Sequence, residues 1–134
     1  MKRVYSGVTE DLCSFMEIDT IEAAKDVVNM IHMEEKITDY IIRIVHATRK
    51  SELTNSEISR LISCGASPRA SIYLGKTAKA HAFINGRAYV TPQDVKDMAL
   101  SVLRHRLILS YEAEAEGIDT DKVICDLLER IEVP

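Results

Sequence analysis

The segment CGASPRASIYLGKTAKA, Cys64 to Ala80, carries two candidates for phosphate chemistry. Gly75-Lys76-Thr77 spells the last three letters of a nucleotide-binding P-loop. Ser67-Pro68-Arg69 spells a helix start with an arginine in its first turn. A P-loop wraps phosphate with backbone N–H groups. That needs a glycine five positions before the Gly-Lys pair, a strand in front and a helix just opening. The residue at that position is Ala70. Gly75-Lys76-Thr77 also falls well inside a helix that begins at Pro68. It is expected to be a surface lysine beside a glycine that permits close helix packing.

Ser67 is a favoured N-cap, and Pro68 suits the first helical position. The free N–H groups and the dipole of a helix N-terminus attract an anion. An arginine in the first turn opposes that dipole unless a phosphate stands in front of it. Taken alone, the triplet fits two readings: a phosphate-facing cation, or a capped start with a solvated arginine.

Other charged residues offer less. Arg87 is expected to pair with Asp94 or Asp97, as structural support. Arg104 and Arg106 flank His105 and read as a basic helix end, which the helix dipole favours. Arg49 is placed to cap the end of a helix. His32, His46 and His81 have no partner that spacing identifies. Glu112, Glu114 and Glu116 read as a solvated face. Cys13, Cys64 and Cys125 are scattered, with no C-x-x-C pair and no histidine at metal-finger spacing, so no metal site is expected. Their pattern suits reduced thiols and a cytoplasmic setting.

The elements that position these residues read as helices in series. Val8, Leu12, Phe15 and Met16 suit an initial amphipathic turn, with Thr9 as its cap. Asp19 and Glu22 resemble a capping box ahead of Ile21, Ala24, Val27, Val28 and Ile31 at helical spacing. Ile37, Tyr40, Ile41, Ile44, Val45 and Thr48 form the next stripe, with Lys36, Asp39 and Arg43 on its polar side. Thr54 and Glu57 box the start of a short helix carrying Ile58, Leu61 and Ile62, and Gly65 is expected to stop it in a left-handed cap. The helix from Pro68 should run to about Phe83 and end at Asn85-Gly86. Arg87–Val90 suits a short extended piece. Thr91-Pro92-Gln93-Asp94 is another capped start, before Val95, Met98, Ala99, Val102 and Leu103. A break near Gly117 precedes Val123, Ile124, Leu127, Leu128 and Ile131. The predicted class is all-α, a helical bundle with one small strand pair near Tyr89 and Leu107.

Composition agrees. The chain has 134 residues, 46% apolar and 28% charged, with 5% aromatics and no Trp. A chain of this length buries roughly 68% of its unfolded surface, enough for one core. The net charge of −4 argues against a domain built mainly to grip nucleic acid. No apolar run reaches the length of a signal peptide or a membrane span.

GASPRA at Gly65–Ala70, GRAYVTPQDV at Gly86–Val95 and VLRHRL at Val102–Leu107 occur in an order and spacing that resemble the MoxR family of AAA+ ATPases. YIIRIVHATR at Tyr40–Arg49 resembles that family's helix ending in ATR, and the closing Val133-Pro134 fits as well. The resemblance covers most of the chain from Ile31 onward and concerns the family's C-terminal helical lid alone. It implies residues 1–18 as the connection from a nucleotide-binding core and residues 19–134 as the lid. It implies ATP and Mg2+ held mainly by that core, and neighbouring subunits of a ring, a hexamer in the family, one of which Arg49 could touch. It also implies a chaperone-like role in maturing or activating other protein complexes. In that setting Arg69 is the sensor 2 arginine, reaching the terminal phosphate. Ser67 holds the helix start, Pro68 fixes its entry angle, and Ala66 and Ala70 are small enough for nucleotide or core to approach. A stand-alone helical interaction module without nucleotide is the reading from a different class. A DNA-associated lid is a third, against which the acidic balance counts.

Overall fold

The computed structural model describes residues 16–49 and 56–134. Thr9, Cys13 and Thr54, with the turn carrying Val8, Leu12 and Phe15, lie outside the described residues. Among these described residues, seven α-helices and one two-stranded sheet follow in order: α1 Ile18–Met30, α2 Glu35–Ala47, α3 Ser56–Leu61, β1 Ile62–Cys64, α4 Arg69–Ile84, α5 Pro92–Leu103, β2 Ile108–Leu109, α6 Tyr111–Ala115 and α7 Thr120–Arg130. A single 3-10 turn, Arg104–Arg106, joins α5 to β2.

The α2 stripe folds as its periodicity demands. Ile37, Tyr40, Ile41, Ile44, Val45 and Thr48 are all buried. The apolar members of that stripe meet Ala70, Leu74, Ala78 and Ala82 of α4, Val95, Ala99, Val102 and Leu103 of α5, and Ile124, Leu127 and Leu128 of α7 in one core. The alanine face of α4 lets α5 and α2 come close. A second, smaller core holds Ile58, Leu61, Ile62, Ala113 and Val123, with Leu109 and Ile118 against it.

Three expectations about local structure are corrected. First, α1 buries none of its residues; Ile21 and Val27 are exposed, and only Ala24 and Val28 are partly covered. The helix lies along α4 at the margin of the bundle, so its apolar stripe has one neighbour instead of a core. It begins at Ile18 after Glu17, with no side-chain cap, so Asp19 sits in the first turn and does not box it. Second, the strand pair joins β1 to β2, with Ile62 opposite Leu109 and Cys64 opposite Ile108 across a bulge. Tyr89 instead forms an isolated parallel bridge with His32, whose N–H donates to the Ala88 carbonyl and whose carbonyl accepts from Val90 N–H. Third, Gly65 is no helix stop. It follows β1, and the positive-φ glycines among the described residues are Gly86 and Gly117. A Cβ on Gly65 would stand 2.2 Å from the Thr48 carbonyl oxygen, so the glycine is required by close backbone approach.

Gly86 ends α4 at the expected Asn85-Gly86 stop, and Gly117 lies in the expected break before α7, where it follows α6, a short helix the sequence analysis did not assign; their φ are +69 and +68. The Thr91 start is a full capping box: the Thr91 hydroxyl accepts from Asp94 N–H, and the Asp94 carboxylate accepts from Thr91 N–H.

Candidate functional site

The α4 start is built by the end of α2. The Thr48 hydroxyl donates to the Val45 carbonyl at 2.7 Å, which ties it to its own helix. The same oxygen accepts the Ala66 N–H at 2.9 Å. The neighbouring Arg49 donates from Nε to the Ala66 carbonyl at 2.6 Å. Both polar groups of one residue are thus gripped by two adjacent residues. Gly65 lies flat against the Thr48 carbonyl beside them. From there the first turn closes on backbone alone. Ala70 N–H donates to the Ser67 carbonyl at 2.8 Å, and Ser71 N–H to the Pro68 carbonyl at 3.1 Å.

Helix α4 begins at Arg69, with Pro68 as its capping residue already in helical geometry and no side-chain cap bond. Ser67 therefore contributes its carbonyl to the turn, where a hydroxyl cap was expected, and Pro68 takes the cap position one residue ahead of the first helical position expected for it. Ser67, Pro68 and Arg69 are exposed. Ala66 and Ala70 are fully buried in the main core. Their small size lets this segment seat inward, and their side chains offer no surface to a ligand in this conformation. Arg69 has no ion pair or hydrogen bond with another described residue. Its guanidinium stands at the N-terminal end of a 16-residue helix, whose dipole favours an anion there.

The second candidate lies differently. Gly75 is buried mid-helix, and a Cβ placed there would meet the Met33 methyl at 3.5 Å, ordinary contact. Thr77 bonds back to the Tyr73 and Leu74 carbonyls of its own helix. Lys76 is exposed on a regular helical turn. Gly75-Lys76-Thr77 has no loop in which to cradle phosphate.

Asp94 is the most heavily engaged polar group among the described residues. It is 1% exposed. Arg87 donates to both its oxygens, at 2.6 and 2.5 Å. Thr91 adds its N–H at 2.8 Å and its hydroxyl at 2.7 Å, and His81 Nδ1 stands 2.8 Å away. The bonds from Arg87 hold the Asp94 carboxyl well below the usual carboxylate range, against the opposing effect of burial. Arg87 is held above its ordinary value by the same contact. The expected pairing of Arg87 with Asp94 is present. His81, without a partner in the sequence analysis, joins it from α4 and also faces Asp97 at 4.0 Å. This node fastens the end of α4 to the start of α5.

The basic turn after α5 splits its roles. Arg104 donates from two nitrogens to Asp121 at 2.6 and 2.7 Å, which pins the turn to α7. Arg106 lies over the Tyr73 ring, 4.9 Å from its centroid, one turn beyond Arg69. His105 and His46 are exposed. Glu112, Glu114 and Glu116 are exposed, and Glu116 takes a bidentate pair from Arg60 at 2.6 and 3.0 Å. Among the described residues no three His, Cys, Asp or Glu side chains gather as a metal site, and no helix is long and apolar enough to cross a membrane.

Thr48 and Arg49 are the site residues that sequence reasoning did not assign. Thr48 read as one more member of a buried stripe, and Arg49 as a cap for its own helix. Their bonds run to a residue 18 and 17 positions away, which no local spacing encodes.

A family model described as AAA lid domain matches residues 54–127. The chaperone MoxR1 of Mycobacterium tuberculosis is 41% identical over 107 residues, 79% of this chain and 28% of that protein. The protein MoxR of Paracoccus denitrificans is 33% identical over 94 residues, 65% of this chain and 28% of that protein. A crystal structure from Cytophaga hutchinsonii, named "putative ATPase", superposes with a TM-score of 0.77 at 43% identity, over 81% of this chain and 33% of that one. The chain thus spans about a third or less of the length of these relatives.

Proposed function

Because the chain belongs to the AAA lid domain family, with MoxR proteins among its relatives, we propose that it is the lid of a MoxR-type AAA+ ATPase and assists ATP hydrolysis through Arg69. In this reading residues 19–134 are the lid, residues 1–18 lead from a nucleotide-binding core, and that core holds ATP and Mg2+. Ring neighbours and client complexes are partners of the whole assembly, which acts as a chaperone-like machine in the cytoplasm. The observation that carries the reading is the exposed Arg69 guanidinium, unpaired among the described residues, on a helix start that α2 holds in place.

The chemistry asked of Arg69 is electrostatic. Charge builds on the oxygens of a transferring phosphoryl group, and a fixed cation lowers that barrier. Guanidinium keeps its charge and can donate two parallel hydrogen bonds. Ser67 and Pro68 lie at the same exposed helix end and set its approach. Ala66 and Ala70 work from behind, by letting the segment seat in the core.

The test compares two sites in the full-length protein. Arg69→Ala should lower ATP turnover about 10–10³-fold, the loss of about 1.4–4 kcal/mol of transition-state stabilisation. Arg69→Lys should recover part of it, since an ammonium lacks the fork. Lys76→Ala should change turnover little. A crippled Lys76→Ala beside a silent Arg69→Ala, both folded and assembled, would overturn the proposal.

A further inference from the structure

An exposed arginine with no hydrogen bond or ion pair to a described residue takes its aim from the backbone that carries it. For Arg69 that backbone is seated in the main core at Ala70, just after it, and, three residues before it, at Ala66. There the Thr48 hydroxyl takes the N–H at 2.9 Å and Arg49 Nε holds the carbonyl at 2.6 Å. The Thr48 grip is rooted in α2 through Val45. The Arg49 grip is charge-assisted, the stronger kind of hydrogen bond. Gly65 admits both, because a side chain there would collide with the Thr48 carbonyl at 2.2 Å and the Arg49 Cγ at 2.9 Å. After Ala66 the chain makes only the backbone bonds of a first helical turn before Arg69 begins.

We infer that Arg49 is a positioning residue for Arg69: by holding the Ala66 carbonyl it sets where α4 starts, and so where the Arg69 guanidinium is delivered. The inference rests on the phosphate-facing role proposed for Arg69. It assigns Arg49 no contact with nucleotide. Thr48 ties the N–H side of Ala66 to α2, and Arg49 supplies the matching tie on its carbonyl side, at the peptide that leads to Ser67. A catalytic cation displaced by about 1 Å can lose up to 10²-fold in rate, so a modest turn of this peptide matters.

The experiment uses the full-length protein and steady-state ATP turnover. Its variants are Arg49→Ala, Arg49→Lys, Arg69→Ala and the double variant Arg49→Ala/Arg69→Ala. Arg49→Ala should lower kcat about 10-fold, within that bound, with a smaller change in KM. Arg49→Lys should recover at least part of the loss, since one ammonium N–H can still reach a carbonyl. The double variant should be no slower than Arg69→Ala alone, because a residue that acts only through Arg69 has nothing left to position. If the Arg49 loss is repeated in full in the Arg69→Ala background, or Arg49→Ala turns over like wild type, the positioning role is refuted while the Arg69 role stands. If Arg69→Ala itself is silent, the parent reading fails instead. Should Arg49→Ala not assemble, Arg49→Lys with and without Arg69→Ala supplies the same comparison. A loss in Arg49→Lys that persists undiminished without Arg69 also refutes the inference.

Discussion

Removing the Asp94 carboxylate should be among the costliest single changes in this chain. The group is 1% exposed and accepts from both terminal nitrogens of Arg87 and from the N–H and hydroxyl of Thr91. Asp94→Ala abolishes the capping box, worth about 0.5–2 kcal/mol on its own. It also strands Arg87. Breaking a buried ion pair from one side costs about 3–5 kcal/mol. The Arg87 side chain is 29% exposed, so water can recover part of its solvation. Because one carboxylate makes all these bonds, the contributions overlap, and a total of about 3–4 kcal/mol is expected. In urea, with a slope of about 1–3 kcal/mol/M, that moves the midpoint by about 1–3 M. Asp94→Asn keeps the shape and removes the charge, which isolates the pH dependence. The folded-state carboxyl is held below its ordinary value of about 3.9. Its stabilisation is therefore complete above that value and is lost as pH falls from about 4 toward the depressed folded value. Urea melts near pH 7 should show the full gap between wild type and Asp94→Asn, and melts at about pH 3 a smaller one. A gap under about 1 kcal/mol near neutral pH, or one that widens on acidification, would refute the reasoning.

Leu103→Ala and Leu127→Ala, at positions 0% and 2% exposed, should each cost about 2–5 kcal/mol in denaturant melts, and losses under about 1 kcal/mol would contradict the packing described. Gly65→Ala should destabilise by about 1–3 kcal/mol, since its new methyl group meets a carbonyl oxygen that cannot move without α2. Gly75→Ala meets the ends of Met33 and Ile41 at ordinary contact distance, 3.5 and 3.9 Å, and should be neutral or stabilising by up to about 1 kcal/mol, as for other glycines in helix interiors; the reverse ranking in melts would refute the two assignments.

What the residues disclosed unaided depended on the range of the forces involved. The α2 stripe, the Thr91 box, the Asn85-Gly86 stop and the Arg87–Asp94 pair are settled within one or two turns of chain, so spacing was enough. The α1 stripe has the same periodicity as α2, yet it stays largely uncovered. Periodicity states which face is apolar and cannot state whether a partner exists to cover it. The strand partner failed for a related reason: β1 and β2 lie more than 40 residues apart, and short apolar runs such as Tyr89 and Ile62 carry nothing that ranks one partner over another. Gly65 showed that a glycine needed for backbone contact looks the same in sequence as one needed for a left-handed turn. At the α4 start, the exposed arginine was legible from Ser67-Pro68-Arg69. The inward seating of Ala66 and Ala70, and the hold of Thr48 and Arg49 on that segment, depend on contacts between separate helices.

The two cores meet along α7. Val123 faces the smaller one, while its neighbour Ile124, with Leu127 and Leu128, faces the larger. One helix is therefore a party wall. It cannot roll about its own axis without opening voids on both sides, and close-packed interiors resist that. Three residues separate Ile62, seated in the smaller core, from Ala66, seated in the larger, and Arg69 comes three positions after Ala66. A push against α3 or α6 should therefore be passed on through α7, with little slack to absorb it. The domain should swing as a single stiff body, so that a load applied at its far side reaches Arg69 as a change of direction.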